Sequence, residues 1–266
     1  MKKTFKPLTL LLLIFPLLLL TACGSKSLAA VDIKERLENN PTITWGVKVD
    51  TSLFGLYNIE TTKIEGFDID IAKALTKEMT GDAKNAKFVE VTSKTRIPLL
   101  KNGNIDGIIA TMTINEERKK QVDFSDVYFA AGQALLVPKD SALQDVTELT
   151  SEDTVLSVKG STSAANIREH APDAKVLELE NYSEAFTALQ SGQGDAMTTD
   201  NAILLGIIAK NPSYRLAGDN FTDEPYGIAI NKGQQPFVQT INEALQTIKD
   251  NGIYDKIYAK WIPKLD

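Results

Sequence analysis

Hydrophobic residues along this chain follow two spacings, the period of two that is typical of strands and the period of 3.6 that is typical of helices. Residues 42–49 have the strand pattern, and the segment after Glu65 has the helical one. Further strands are expected at 87–91, 107–110, 133–138, 154–158, 175–179, 195–199 and 226–231, and helices at 96–100, 163–170, 182–190, 202–210, 236–249 and 253–261, with a helix carrying Arg118 between. Strands that alternate with helices predict an α/β fold with mostly parallel sheets.

Two stretches of the chain repeat one local pattern. Residues 99–107 and 188–196 each combine a helix end, a glycine turn, an aspartate and a buried strand, and threonines follow both strands. The repeat predicts two lobes of similar build whose strand ends face a shared cleft, where ligands of open α/β sheets bind. Residues 50–63 and the aromatic run 124–129 are expected to be loops.

The N-terminal segment has the features of an export signal. Three lysines precede the apolar run 8–20, which is shorter than the roughly 20 residues that a membrane span needs. The run ends at Cys23, the single cysteine, and resembles a bacterial lipoprotein signal. We therefore expect a signal peptide at 1–22, a lipidated Cys23 and a tether over 23–40; an ordinary cleavage site beside an unrelated cysteine is the alternative.

The charge of the chain limits its partners. The formal charge is −6, and without the three signal lysines 26 basic residues face 35 acidic ones, which gives −9. An acidic surface argues against nucleic acid as a partner. One histidine and one cysteine favour neither a zinc-type metal site nor thiol or Ser-His catalysis, so we expect no metal and no cofactor.

The stretch around Arg118 contains the first candidate site. Asn115 can cap a helix whose first turn suits Glu116 and Glu117, whereas Arg118 faces the positive end of the helix dipole. An anion held there would meet a guanidinium, helix N–H groups and the hydroxyls of Thr111 and Thr113. The alternative is an exposed surface arginine.

Several motifs together resemble the extracellular solute-binding proteins of ABC importers for polar amino acids. They include 65–70 (EGFDID), 94–100 (KTRIPLL), 110–120, 123–126 (DFSD), 159–163 (KGSTS), 195–200 and 226–229. The resemblance covers nearly the whole mature chain. It implies a type II periplasmic-binding-protein fold with two lobes, here 41–131 with 225–266 and 132–224, that are joined by two crossing strands. It also implies a free amino acid as ligand, a membrane permease as partner, a monomer, and a place on the outer face of the cell membrane.

The resemblance also implies roles for individual residues. Arg118 would bind the α-carboxylate of the ligand, with Thr113 and the backbone of Thr111 nearby. From the second lobe, Asp200 would bind the α-ammonium, and N–H groups at Thr162 and Ser163 would complete the carboxylate site. Asp200 could instead cap the following helix, and a helix cap is also the expected role of Asp68 and Asp70.

Arg96 bears on which amino acid binds. The segment 93–98 (SKTRIP) resembles the glutamate/aspartate-binding branch, whose arginine pairs with the ligand's side-chain carboxylate, and Lys48 could add a second positive group. If Arg96 is buried and the ligand's side chain is a neutral amide, the arginine lacks a charged partner, and binding is weaker by about 2–5 kcal/mol. We expect glutamate or aspartate, with glutamine or asparagine as the alternative and a surface position as the alternative for Arg96. A dehydratase on the same fold and a sensor domain are rivals, but no residue here is left over as a general acid or base, so we expect no enzyme.

Overall fold

The structure is a computed structural model, and it describes residues 31–263. Within that range the helices are α1 (Ile33–Asn39), α2 (Phe67–Thr80), α3 (Arg96–Lys101), α4 (Glu116–Lys119), α5 (Ser163–His170), α6 (Tyr182–Gln190), α7 (Asn201–Ile208), α8 (Gln235–Asp250) and α9 (Ile253–Trp261). The strands are β1 (Ile43–Val47), β2 (Asp50–Thr51), β3 (Gly55–Asn58), β4 (Lys63–Glu65), β5 (Ala86–Glu90), β6 (Gly107–Ile108), β7 (Val122–Ala131), β8 (Gln133–Pro138), β9 (Thr154–Val158), β10 (Lys175–Leu179), β11 (Ala196–Asp200), β12 (Tyr214–Ala217) and β13 (Glu224–Asn231).

Two five-stranded sheets form the centres of two lobes. The first sheet has the order β5-β1-β6-β13-β7 and the second the order β10-β9-β11-β8-β12. In each sheet, three neighbouring strands run parallel. The fourth strand pairs antiparallel with the third, and the fifth pairs antiparallel with the fourth. The predicted α/β class and the repeat between the two halves are therefore confirmed.

The chain passes twice between the sheets. It leaves the first sheet at the end of β7 and enters the second with β8 after Gly132, and it returns between β12 and β13. Strands β7 and β13 pair antiparallel, with register shifts between Tyr226 and Gly227 and between Gly227 and Ala229. These are the two crossing strands that the fold class requires.

Three expectations about loops and strands were wrong. Residues 50–63 are not one loop, because β2, β3 and β4 form a small antiparallel sheet there. Residues 124–129 lie inside β7, whose irregular burial follows its bulged pairing with β13 and hides the usual alternation. Strand β12 was not predicted at all, since it is a short edge strand with three half-buried residues and one buried residue.

Helix faces follow the hydrophobic spacing. Helix α8 buries one stripe, formed by Phe237, Val238, Ile241, Ala244, Leu245 and Ile248. Helix α2 ends at Gly81, which has the left-handed φ of 82° that a helix C-terminus favours. Both helices belong to the first lobe, where α2 packs on α8.

The N-terminal part of the described chain is attached to the first lobe. Ile33 is buried, its N–H donates to the side chain of Gln234 at 3.0 Å, and Arg36 pairs with Asp106 at 2.9 Å. The predicted signal peptide, Cys23 and the first part of the tether lie outside the described residues. Among residues 31–263, no helix is both long and apolar enough to span a bilayer.

Candidate functional site

A small cavity lies between the lobes, where strand ends and helix starts from both sides meet. Its wall combines polar and charged side chains: Arg96, Thr111, Thr113, Arg118, Ser161, Thr162, Ser163, Tyr182, Thr199 and Asp200. Seven of the eight residues expected to bind ligand are therefore at one place, and Lys48 is the exception.

Arg118 connects the lobes at this cavity. Asn115 caps α4 by accepting the N–H of Arg118 at 2.9 Å, which orients the short helix. The guanidinium donates from Nη1 to the carbonyl of Thr113 at 2.8 Å and from Nη2 to that of Gly160, on the second lobe, at 3.2 Å. The side chain is buried, which lowers its pKa and excludes the alternative of an exposed surface arginine.

Arg96 is buried as well, at the first position of α3. Its Nη1 donates to the carbonyl of Ala110 at 2.7 Å, whereas its Nε is buried with no hydrogen-bond partner among the described residues. Burial, and next the charge of Arg118, lower the pKa of Arg96 to about 9. The alternative of a surface position for Arg96 is therefore wrong, and its Nε is left without a partner among the described residues.

Asp200 faces these cations from the end of β11. Its carboxylate accepts a short hydrogen bond from the hydroxyl of Tyr226. Burial and the neighbouring Glu224 raise its pKa to about 7. Asp200 occupies the N-cap position of α7, but its side chain makes no capping hydrogen bond, so the capping alternative is wrong for the side chain.

Asp68 lies next to the cavity, although the sequence predicted it to cap a helix. It does not cap α2, whose N-cap position is Gly66. Its carboxylate instead accepts the N–H of Thr111 at 3.1 Å and the hydroxyl of Tyr128 at 3.0 Å. Thr111 has a left-handed φ of 47°, which is unfavourable for a branched residue. The hydrogen bond that its N–H donates to Asp68 therefore stabilises this turn.

The hydroxyl of Thr111 is buried and has no hydrogen-bond partner among the described residues. A buried polar atom without a partner is costly, and Thr111 lines the cavity. The turn that Asp68 stabilises therefore offers an unused hydroxyl at the cavity. Burial raises the pKa of Asp68 to about 7.

Lys48 does not line the cavity, although it is buried nearby. Its Nζ donates to Ser93 Oγ at 2.8 Å and lies 4.7 Å from the centre of the Tyr182 ring. Burial lowers its pKa to about 7. The expected second positive group thus lies against the ring of Tyr182, a residue for which the sequence predicted no role in the site.

The loop before α5 contributes the remaining polar groups. Thr162 Oγ1 donates to Glu224 at 3.0 Å, and the Ser163 N–H donates to Ser161 Oγ at 3.3 Å. Both residues stand at the start of α5, where N–H groups favour an anion.

The side chains that line the cavity complement the two charges of a small zwitterion. Arg96 and Arg118 offer donors to a carboxylate or a carbonyl oxygen, and Asp200 offers an acceptor to an ammonium group. Asp68 and Asp50 place further negative charge close behind, since both act on the pKa of Lys48. With these carboxylates counted, the surroundings of the cavity are closer to neutral than the three cations and one anion expected from sequence, which were Arg96, Arg118, Lys48 and Asp200.

Two α/β lobes that enclose a polar cavity at their strand ends define a two-lobe solute-binding protein of the periplasmic type II class. The chain belongs to the bacterial extracellular solute-binding proteins of family 3, whose family model matches residues 43–264.

Two relatives and one solved structure illustrate the similarity. The ABC transporter glutamine-binding protein GlnH of Bacillus subtilis (strain 168) is 58% identical over 269 residues, 98% of either chain. The glutamine-binding protein of Geobacillus stearothermophilus is 54% identical over 220 residues, which cover 83% of this chain and 84% of the relative. An ancestral arginine-binding protein bound to arginine superposes with a TM-score of 0.78 at 42% identity, over 84% of this chain and 99% of that one.

Proposed function

We propose that this protein is the substrate-binding component of an ABC importer, and that it binds glutamine between its lobes and delivers it to a membrane permease. The observation that carries the proposal is its similarity to two glutamine-binding relatives at more than half identity. The proposal replaces the expected glutamate or aspartate by glutamine, which has the length of glutamate but a neutral side chain.

The charges around the cavity support a neutral side chain. Arg96 already donates to the carbonyl of Ala110, so a ligand carboxylate is not needed to satisfy that donor. Its free Nε suits the side-chain carbonyl oxygen of glutamine. Lys48 is absent from the cavity wall, so once Arg118 binds the α-carboxylate, Arg96 is the one cation of that wall left for the ligand's side chain.

The α-amino acid part of the ligand engages both lobes in this proposal. Arg118 binds the carboxylate, helped by the hydroxyls of Thr111 and Thr113 and by N–H groups at Thr162 and Ser163. Asp200 binds the ammonium group. Because each charge of the zwitterion has a partner once water is expelled, the ligand favours the closed arrangement of the lobes.

The protein acts by binding and not by catalysis in this proposal, because the charged groups of the cavity are used by the ligand's own charges. Lipid on Cys23 anchors the protein as a monomer at the outer face of the cell membrane, where it meets the permease. Incubation with glutamine followed by mass spectrometry should recover the ligand unchanged.

Calorimetric titration of the purified protein, after removal of retained ligand, tests the substrate. We expect glutamine to bind more tightly than glutamate and aspartate, because a neutral amide fits the nearly balanced charges without burying an extra one. Tighter binding of glutamate than of glutamine would contradict the proposal.

A further inference from the structure

Tyr182 lies at the boundary between two interlobe spaces. It is the one described residue that lines both the ligand cavity and a second pocket, which is formed by residues such as Asp50, Phe186 and Ile207. Its hydroxyl accepts from Thr199 Oγ1 at 3.3 Å on the cavity side, and its N–H donates to Asp50 at 2.8 Å on the other side. The side chain therefore extends from the second pocket towards the ligand.

The ring of Tyr182 covers the ammonium group of Lys48. Nζ lies 4.7 Å from the ring centre, a distance at which a cation interacts with an aromatic face. Lys48 is only 1% exposed and is absent from the cavity wall, although Arg96, Arg118 and Asp68 are close enough to act on its pKa. A cation thus lies next to the site but is not presented to it.

Ser93 and Asp50 are two polar neighbours of this ammonium. Ser93 Oγ accepts from it at 2.8 Å, and Asp50 is the strongest of the neighbouring charges on its pKa. Asp50 in turn accepts the N–H of Tyr182. One carboxylate therefore accepts a hydrogen bond from the first residue of α6 and also acts by its charge on Lys48. Neither group lines the ligand cavity.

We propose that Tyr182 determines the preference for an amide over an acid, because its ring separates the Lys48 ammonium from the ligand's side chain. This inference rests on the proposed function. A carboxylate that reached Lys48 would gain an ion pair in a buried site, whereas an amide would gain much less. Removal of the ring would therefore favour glutamate and aspartate over their amides.

Substitution of Tyr182 by alanine, with titration of glutamine, asparagine, glutamate and aspartate, measures this effect. We expect the acid-to-amide ratio of affinities to rise about ten-fold or more in Tyr182→Ala. Tyr182→Phe keeps the ring and should keep the wild-type ratio, even if loss of the hydroxyl weakens every ligand. Tyr182→Leu removes the aromatic face with less loss of packing, and it replaces the alanine variant if circular dichroism shows that variant to be unfolded.

The double variant Tyr182→Ala/Lys48→Met identifies the source of the change. The ratio should return to the wild-type value, because the uncovered cation is gone. An unchanged ratio in both ring-less variants, or a raised ratio that persists without Lys48, would overturn the inference.

The proposed function is judged separately, by whether the wild-type protein prefers glutamine. The inference concerns only the change in the ratio between variants, which has the same sign whichever amino acid the wild-type protein binds best.

Discussion

The interlobe cavity brings two guanidinium groups and one carboxylate, those of Arg96, Arg118 and Asp200, to the same small space. Charges this deeply buried are stabilised only by partners, and here the partners are main-chain carbonyls, a tyrosine hydroxyl and, in the proposed function, the ligand itself. The raised pKa of Asp200 and the lowered ones of the arginines reflect this burial.

Asp200→Asn tests the partner of the ligand's ammonium group. The amide lacks the charge that compensates a buried ammonium, so affinity for the preferred amino acid should fall at least about 30-fold. Calorimetry measures the loss. Asp195→Asn is the matched control, since Asp195 belongs to the same lobe but accepts from the N–H of Thr154 at an exposed turn. Equal affinities for the two variants would contradict the role of Asp200.

Residues that follow local signals could be predicted from the sequence, whereas residues whose partners are distant in the chain could not. Arg118 stood out because it breaks a helix rule after a cap. Asp68 and Tyr182 gave no such signal, because each has an ordinary position at a helix start and contacts partners 43 and 17 positions away.

At the scale of elements, the site is built from the ends of short segments. The loop between β9 and α5 approaches the first lobe so closely that a Cβ on Gly160 would lie 2.7 Å from the carbonyl oxygen of Ser93. Gly160 also has a left-handed φ of 78°. A glycine is therefore needed here both for the turn and for the approach of the lobes.

Gly160→Ala should hinder the close approach of the two lobes. The added methyl group meets backbone of the other lobe, so affinity should fall roughly ten-fold or more, with a moderate loss of thermal stability from the positive φ. Calorimetry and thermal denaturation measure the two effects.

Gly192→Ala provides the control for backbone strain. Gly192 has a similar φ of 70°, but no atom lies within 4 Å of the added Cβ. It should lose comparable stability and keep its affinity. If both variants bind equally well, the contact between Gly160 and Ser93 does not limit closure.

The molecule as a whole buries several ionisable side chains, among them Lys48, Asp68 and Asp200. Burial raises the pKa values of Asp68 and Asp200 to about 7. Between about pH 4 and pH 7 these groups bind protons in the folded protein that the unfolded chain has released. The free energy of unfolding of the ligand-free protein should therefore fall as the pH rises through this range.

Above pH 7 the lowered pKa of Lys48, about 7, acts in the opposite direction. The unfolded chain then binds the proton more tightly, so this contribution to stability rises with pH. Urea denaturation at several pH values should give a shallower decrease between pH 5 and 7 for Asp68→Asn than for the wild-type protein. An identical slope would show that Asp68 does not retain its proton in the fold.

The sequence by itself determined the α/β class, the repeat of one lobe plan and most helix and strand positions, because hydrophobic periodicity is a local property. Local patterns pointed to Arg118, Thr111 and Thr113, whereas Arg96, Thr162, Ser163 and Asp200 were expected from the resemblance to a known family. Only the tertiary structure decided that Lys48 lies against the ring of Tyr182 and that Asp68 accepts the N–H of Thr111 at the turn. Which buried charges face a ligand depends on packing between distant segments, and no local pattern records it.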